Sequence, residues 1–156
     1  MATRLYGCIV EYEFSRNPKD VTQIKIFEHN EKVLNELPEV DEWPPLTKKM
    51  FSITDNSQYL EYGPNYAYGG RIIHFGANFK SIEGEWKEWK SKFENLLTKL
   101  LWQDADVHFK TEYTGIQTFT WAIDLKKWSL SQGSEFEIIK REYWDFEGDL
   151  SWENIK

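Results

Sequence analysis

From Leu5 to Phe14 the chain alternates. Tyr6, Cys8, Val10, Tyr12 and Phe14 fall on one face; Gly7, Glu11 and Glu13 fall on the other. A period of two over ten residues predicts a β-strand. Ser15 to Asp20 reads as a turn, and Val21 to Glu28 as the returning strand of an antiparallel hairpin. Val33, Leu34 and Leu37 then recur at helical spacing, which predicts a short helix over 29–37, stopped by Pro38. Residues 38–47, with Pro38, Pro44, Pro45 and the stretch Glu39 to Trp43, read as an ordered surface loop.

Met50 to Thr54 and Gln58 to Tyr62 predict two short strands, and Gly63 to Gly70 a loop. Arg71 to Phe79 alternates again, with Ile73, Phe75, Ala77 and Phe79 on one face and His74 on the other. Trp86, Trp89, Phe93, Leu96, Leu97 and Leu100 form an apolar stripe of steps of three and four, predicting one long amphipathic helix over about 82–101. Ser81 is its expected N-cap, and Glu88 and Lys92 its expected i,i+4 pair. Asp106 to Tyr113 and Ile116 to Asp124 predict a hairpin around Thr114-Gly115, and Phe136 to Phe146 a last strand. Strands that cluster instead of alternating with helices indicate an α+β class. The expected architecture is a single α+β domain over 1–156: an antiparallel sheet of roughly six to eight strands with the long helix on one face. The helix stripe should meet the sheet near Ile73, Phe75, Phe109 and Trp121.

Composition sharpens this picture. The chain carries eight Trp, eight Tyr and ten Phe in 156 residues, more aromatic surface than one core of this size needs, so part of it is expected to face outward. Its net charge is −7, which opposes binding to nucleic acid and to anionic membranes and favours a basic partner. Cys8 is the only cysteine, so the chain holds no internal disulfide and no cysteine-based zinc site; in its apolar run it reads as a small buried hydrophobe. No membrane-spanning or signal-peptide stretch is present, and a reducing cytoplasm fits.

Candidate chemistry is sparse. Among His29, His74 and His108 no pair has metal-ligand spacing on a helix, and no nucleophile elbow, phosphate loop or dinucleotide fingerprint occurs. No catalytic residue, metal or cofactor is assigned. The acid pairs Glu11 with Glu13 and Asp104 with Asp106 read as solvated strand faces. Two segments suit recognition of a protein. Tyr59, Tyr62, Tyr66 and Tyr68 lie within ten residues among Gly, Pro and Asn, a composition that offers rigid contact area. Glu142, Asp145, Glu147 and Asp149 interleave with Trp144 and Trp152, aromatic anchors flanked by steering charge. Trp43, beside Asp41 and Glu42, has the same character. An alternative is a small-ligand-binding domain or enzyme with an aromatic-lined pocket, built from Tyr6, His74, His108 and Glu112.

From Glu85 to Trp121 a Trp-bearing helix ends in Leu100-Leu101-Trp102, continues through Asp104-Ala105-Asp106-Val107-His108-Phe109 and returns through Thr114-Gly115 to Trp121. This quarter of the chain resembles, in style, the small immunity proteins that protect bacteria from polymorphic toxins and contact-dependent effectors. The resemblance carries no specific site. It implies a non-enzymatic inhibitor that neutralises a cognate toxin domain by direct binding, the acidic charge suiting a basic nuclease toxin.

Overall fold

The computed structural model describes residues 2–17, 19–55, 71–112, 115–128 and 139–148. It is α+β. Among the described residues six strands form one antiparallel sheet: β1 Thr3–Glu11, β2 Phe51–Asp55, β3 Arg71–Phe79, β4 Trp102–Thr111, β5 Gly115–Ile123 and β6 Trp144–Glu147. Their order across the sheet is β2-β3-β1-β4-β5-β6, so β1 and β4 are central. Two α-helices accompany them among the described residues, α1 Val21–Asn35 and α2 Trp86–Leu97.

The first helix corrects the expected hairpin over 5–28. Val21 to Glu28 is helical, and the short helix expected over 29–37 is its second half. Asp20 caps it, its side chain accepting from the backbone N–H of Thr22 and Gln23 at 2.9 and 3.1 Å. The residues α1 buries are Gln23, Ile26, Asn30, Val33 and Leu34. Two of the five are polar, which hid the helical stripe from an apolar-spacing search.

The second helix is shorter than expected. A 3₁₀ turn over Glu83–Glu85 precedes it, and the chain leaves it before Leu100 and Leu101, which are buried outside the helix. Ser81 does not cap it: the N-cap position is Glu85, and the Ser81 hydroxyl donates to the Glu83 carboxylate. Lys92, expected to pair with Glu88, instead reaches Asp41 at 2.9 Å and the carbonyls of Glu42 and Pro44, fastening the 38–47 loop to α2.

The apolar stripe of α2 meets the sheet where expected. Phe75 lies 5.3 Å from Phe93, Trp86 4.4 Å from Phe109 and Phe93 5.0 Å from Trp121, ring centre to ring centre. Trp86, Trp89, Trp102, Trp121 and Trp128 are all buried, so five of the seven described tryptophans are core, while Tyr6, Phe14 and Trp43 are exposed. Of the two faces of β1, the one carrying Thr3, Leu5, Ile9 and Glu11 turns inward. Gly7 makes this possible. A Cβ there would sit 1.9 Å from the Asp106 carbonyl oxygen and 2.8 Å from the Phe75 ring, so only glycine lets the strands close under that ring.

Beneath α1 lies a polar network. Arg71, 7% exposed, donates to both oxygens of the fully buried Glu11, at 2.7 and 3.0 Å, and to Glu31 at 2.5 Å. Asn30 donates to Glu11 and to the Leu101 carbonyl and accepts from the Leu101 N–H. A buried carboxylate and guanidinium are tolerable because each finds partners. Glu11, expected to share a solvated strand face with Glu13, instead helps pin α1 to the sheet.

Candidate functional site

Both helices cover one side of the sheet. The other side presents Arg4, Tyr6, Cys8 and Val10 of β1 with their cross-strand neighbours, and it is open. Tyr6 is 42% exposed, and Arg4, His74, Gly76, Lys110, Thr118, Ala122, Asp145 and Glu147 are all exposed. An antiparallel sheet can leave one face to water, and alternating residues then reach it from every strand.

Strand register orders this face into rows. One runs from Ser52 through His74, Cys8, Asp106 and Thr120 to Glu147, across all six strands. The next runs from Thr54 through Ile72, Val10, Asp104 and Ala122 to Asp145. Asp104 and Asp106 of β4 therefore stand level with Asp145 and Glu147 of β6. Only the small Ala122 and Thr120 of β5 lie between them. With strands about 4.8 Å apart, the two carboxylate rows flank a shallow channel roughly 10 Å wide. Burial raises the Asp104 pKa above its ordinary value, and the neighbouring Asp106 charge raises it further.

Cys8 sits in the row between His74 and Asp106. It is half-buried on the open face, not a core hydrophobe as its apolar run suggested. The arrangement opposes nucleophilic use. Burial raises the thiol pKa, and Asp106, whose carboxylate oxygen is 4.0 Å from Sγ, and Asp104 raise it further. His74 shares a hydrogen bond with the Thr54 hydroxyl. His108 shares one with Thr118 at 3.0 Å, and its ring packs 5.1 Å from that of Tyr6.

The expected recognition residues divide. Asp145 and Glu147 come together with Asp104 and Asp106 on the open face. Trp144 turns the other way: its ring meets Trp102 edge-on at 5.3 Å, and its indole N–H donates to the Ile139 carbonyl. Glu142 is exposed in a 3₁₀ turn that precedes β6. Trp43 is 51% exposed and packs edge-on against Phe79 at 5.5 Å. Its loop is held by Asp41, which accepts from the Leu46 N–H and Lys92; these bonds keep the Asp41 carboxyl below its ordinary range although burial acts the other way. Tyr59, Tyr62, Tyr66, Tyr68, Asp149 and Trp152 lie outside the described residues.

Of the group Tyr6, His74, His108 and Glu112, the first three share the open face. A cavity of about 320 Å³ is lined by Glu31, Leu34, Asn35, Lys48, Phe51, Ser52 and Ile53, and another of about 180 Å³ by Ala2, Arg4, Lys110, Thr111 and Glu112. Neither is walled by Tyr6, His74 or His108. Among the described residues no group of three or more His, Cys, Asp or Glu could hold a metal ion, and no helix is long and apolar enough to cross a membrane.

Asp104 and Asp106 were visible in the sequence only as one acid pair among several. Their place beside Asp145 and Glu147 follows from the order β4-β5-β6, which no local pattern discloses. Compared with known proteins, the chain matches no family model, no curated protein and no solved structure.

Proposed function

We propose that the chain is a non-enzymatic inhibitor of the immunity type, which neutralises a basic toxin domain by binding it directly through the open face of the sheet. The observation that supports this reading is the alignment of Asp104 and Asp106 with Asp145 and Glu147 across the narrow floor of β5. Four carboxylates on one sheet face, Asp145 and Glu147 exposed and Asp104 and Asp106 half-buried, form a local negative field that attracts lysine and arginine side chains and speeds encounter. The backbone of β4 is held by ladder hydrogen bonds on both sides and that of β6 by its ladder to β5, so docking requires little ordering of these strands.

The immobilised chain, exposed to lysate of its source organism, should retain a basic protein that elutes as salt rises and is identified by mass spectrometry. Co-expression should relieve that protein's toxicity. Capture of an acidic or neutral protein, or a complex whose association rate is flat with ionic strength, would remove the electrostatic part of the reading.

A further inference from the structure

The open face also has a pattern along the strands. On β4 its residues are, in order, Asp104, Asp106, His108 and Lys110: two acids, a histidine and a cation. The neighbouring β1 sets Arg4 beside Lys110, Tyr6 beside His108, Cys8 beside Asp106 and Val10 beside Asp104. Cations thus gather at one end of the two central strands, and acids at the other.

Such a face is complementary to itself. A second copy can be turned over about a two-fold axis that lies in the plane of the face and crosses the strands level with Val107. That operation sets Lys110 of each copy against Asp104 of the other, and His108 against Asp106. Each contact occurs twice, as an isologous interface requires. An axis running along the strands would instead stack like ends on like, so the charge pattern selects one of the two arrangements. Stacked sheets lie about 10 Å apart with strand directions within about 30° of each other. A lysine and an aspartate reaching from opposite sheets close a gap of that size.

The area is that of a small interface. β2 and β6 reach only the rows of Asp104 and Asp106, so the two-fold lays them past their own copies, and β3, β1, β4 and β5 are the strands that overlap. Four strands about 4.8 Å apart and four rows about 7 Å apart give roughly 540 Å² per copy. The total, roughly 1,100 Å², clears the roughly 1,000 Å² expected of a specific interface. Tyr6, level with His108, and Val10 and Ile72, level with Asp104, supply apolar contact beside the charged pairs. Asp145 and Glu147 belong to the edge strand, where the twist of two stacked sheets separates them.

We propose that the chain forms a face-to-face homodimer through the open side of the sheet, with Lys110 of each copy paired to Asp104 of the other. This does not depend on the inhibitor reading. If both hold, a basic partner using Asp104 and Asp106 competes with the second copy.

Sedimentation equilibrium of the full chain tests it. The wild type should be a dimer that weakens as salt is raised. Asp104→Lys and Lys110→Glu should each weaken the dimer about tenfold or more on their own, because each opposes like charges across the interface. Their equimolar mixture should restore it, because Lys then meets Glu at one site and the native pair remains at the other. Circular dichroism confirms that each variant is folded. Should Asp104→Lys not fold, Lys110→Glu alone decides. Its dimer should strengthen with salt, opposite in sign to the wild type. A wild type that stays monomeric, a dimer indifferent to the reversals, or a mixture no better than its components would overturn the proposal. So would a Lys110→Glu chain with the wild-type salt dependence.

Discussion

Cys8 and Asp106 face each other across the two central strands on the open side of the sheet, with Sγ 4.0 Å from a carboxylate oxygen. A thiolate there would lie beside a carboxylate in a half-buried setting, so the proton is held. Cys8 should react with an alkylating reagent more slowly at neutral pH than a free thiol. Asp106→Asn should move the midpoint of its pH–rate profile downward. A midpoint at or below that of a free thiol would show that the two groups do not interact as described.

The Glu11–Arg71 pair predicts a different kind of sensitivity. Both side chains are buried, so removing Arg71 leaves the Glu11 charge without a cation, and removing Glu11 leaves Arg71 only the half-exposed Glu31. Glu11→Ala or Arg71→Ala should cost about 3–5 kcal/mol in urea unfolding. Replacing both by apolar residues, Glu11→Leu with Arg71→Met, should cost less than either single change. Single losses under about 1 kcal/mol, the range of exposed pairs, would mean that water reaches the pair.

Trp89 distinguishes core from surface. It is fully buried, stacks on Trp86 and Phe93, and its indole N–H donates to the Pro45 carbonyl at 3.0 Å. Trp89→Ala should destabilise the fold by about 3–5 kcal/mol. Asp145→Lys on the open face should change stability by no more than about 0.5 kcal/mol. Comparable losses from both would contradict the assignment of faces.

How legible each element was depends on which interaction selects it. The stripe of α2 is wholly apolar, so its spacing disclosed both the helix and its contacts with Phe75, Phe109 and Trp121. Four of the eight residues from Val21 to Glu28 are β-branched, and they offer no wholly apolar stripe. Its helix is selected by the Asp20 cap and by Gln23 and Asn30, polar residues whose partners, the Tyr12 carbonyl and Glu11, come from another element. The inward face of β1 was equally hidden. It carries Gly7, whose lack of a side chain makes sense only once Phe75 is in place, and Glu11, whose burial makes sense only beside Arg71. Asp145 and Glu147 were legible as exposed acids, but their alignment with Asp104 and Asp106 belongs to the sheet order.

Asp104 gives a pH signature. Its folded pKa is raised by burial and by Asp106, so the native chain holds this proton more tightly than the unfolded chain. Stability from this group therefore falls as pH rises through the raised value. Asp104→Asn removes the charge and should melt higher than the wild type at neutral pH, at concentrations low enough to keep both monomeric. The difference should shrink as pH falls towards the ordinary aspartate value of about 3.9. A difference constant across that range would assign it to something other than the carboxylate.

The central claim is that the acids of the open face bind the partner. Its most direct measurement is the affinity of the captured basic protein for Asp145→Lys/Glu147→Lys, on the edge strand, with the melting temperature taken on the same sample. On the proposed inhibitor function, binding should weaken by about 2 kcal/mol or more with the melting temperature unchanged. Undiminished affinity in this folded variant would contradict it and move the recognition surface away from this face, first to Trp43 and its loop.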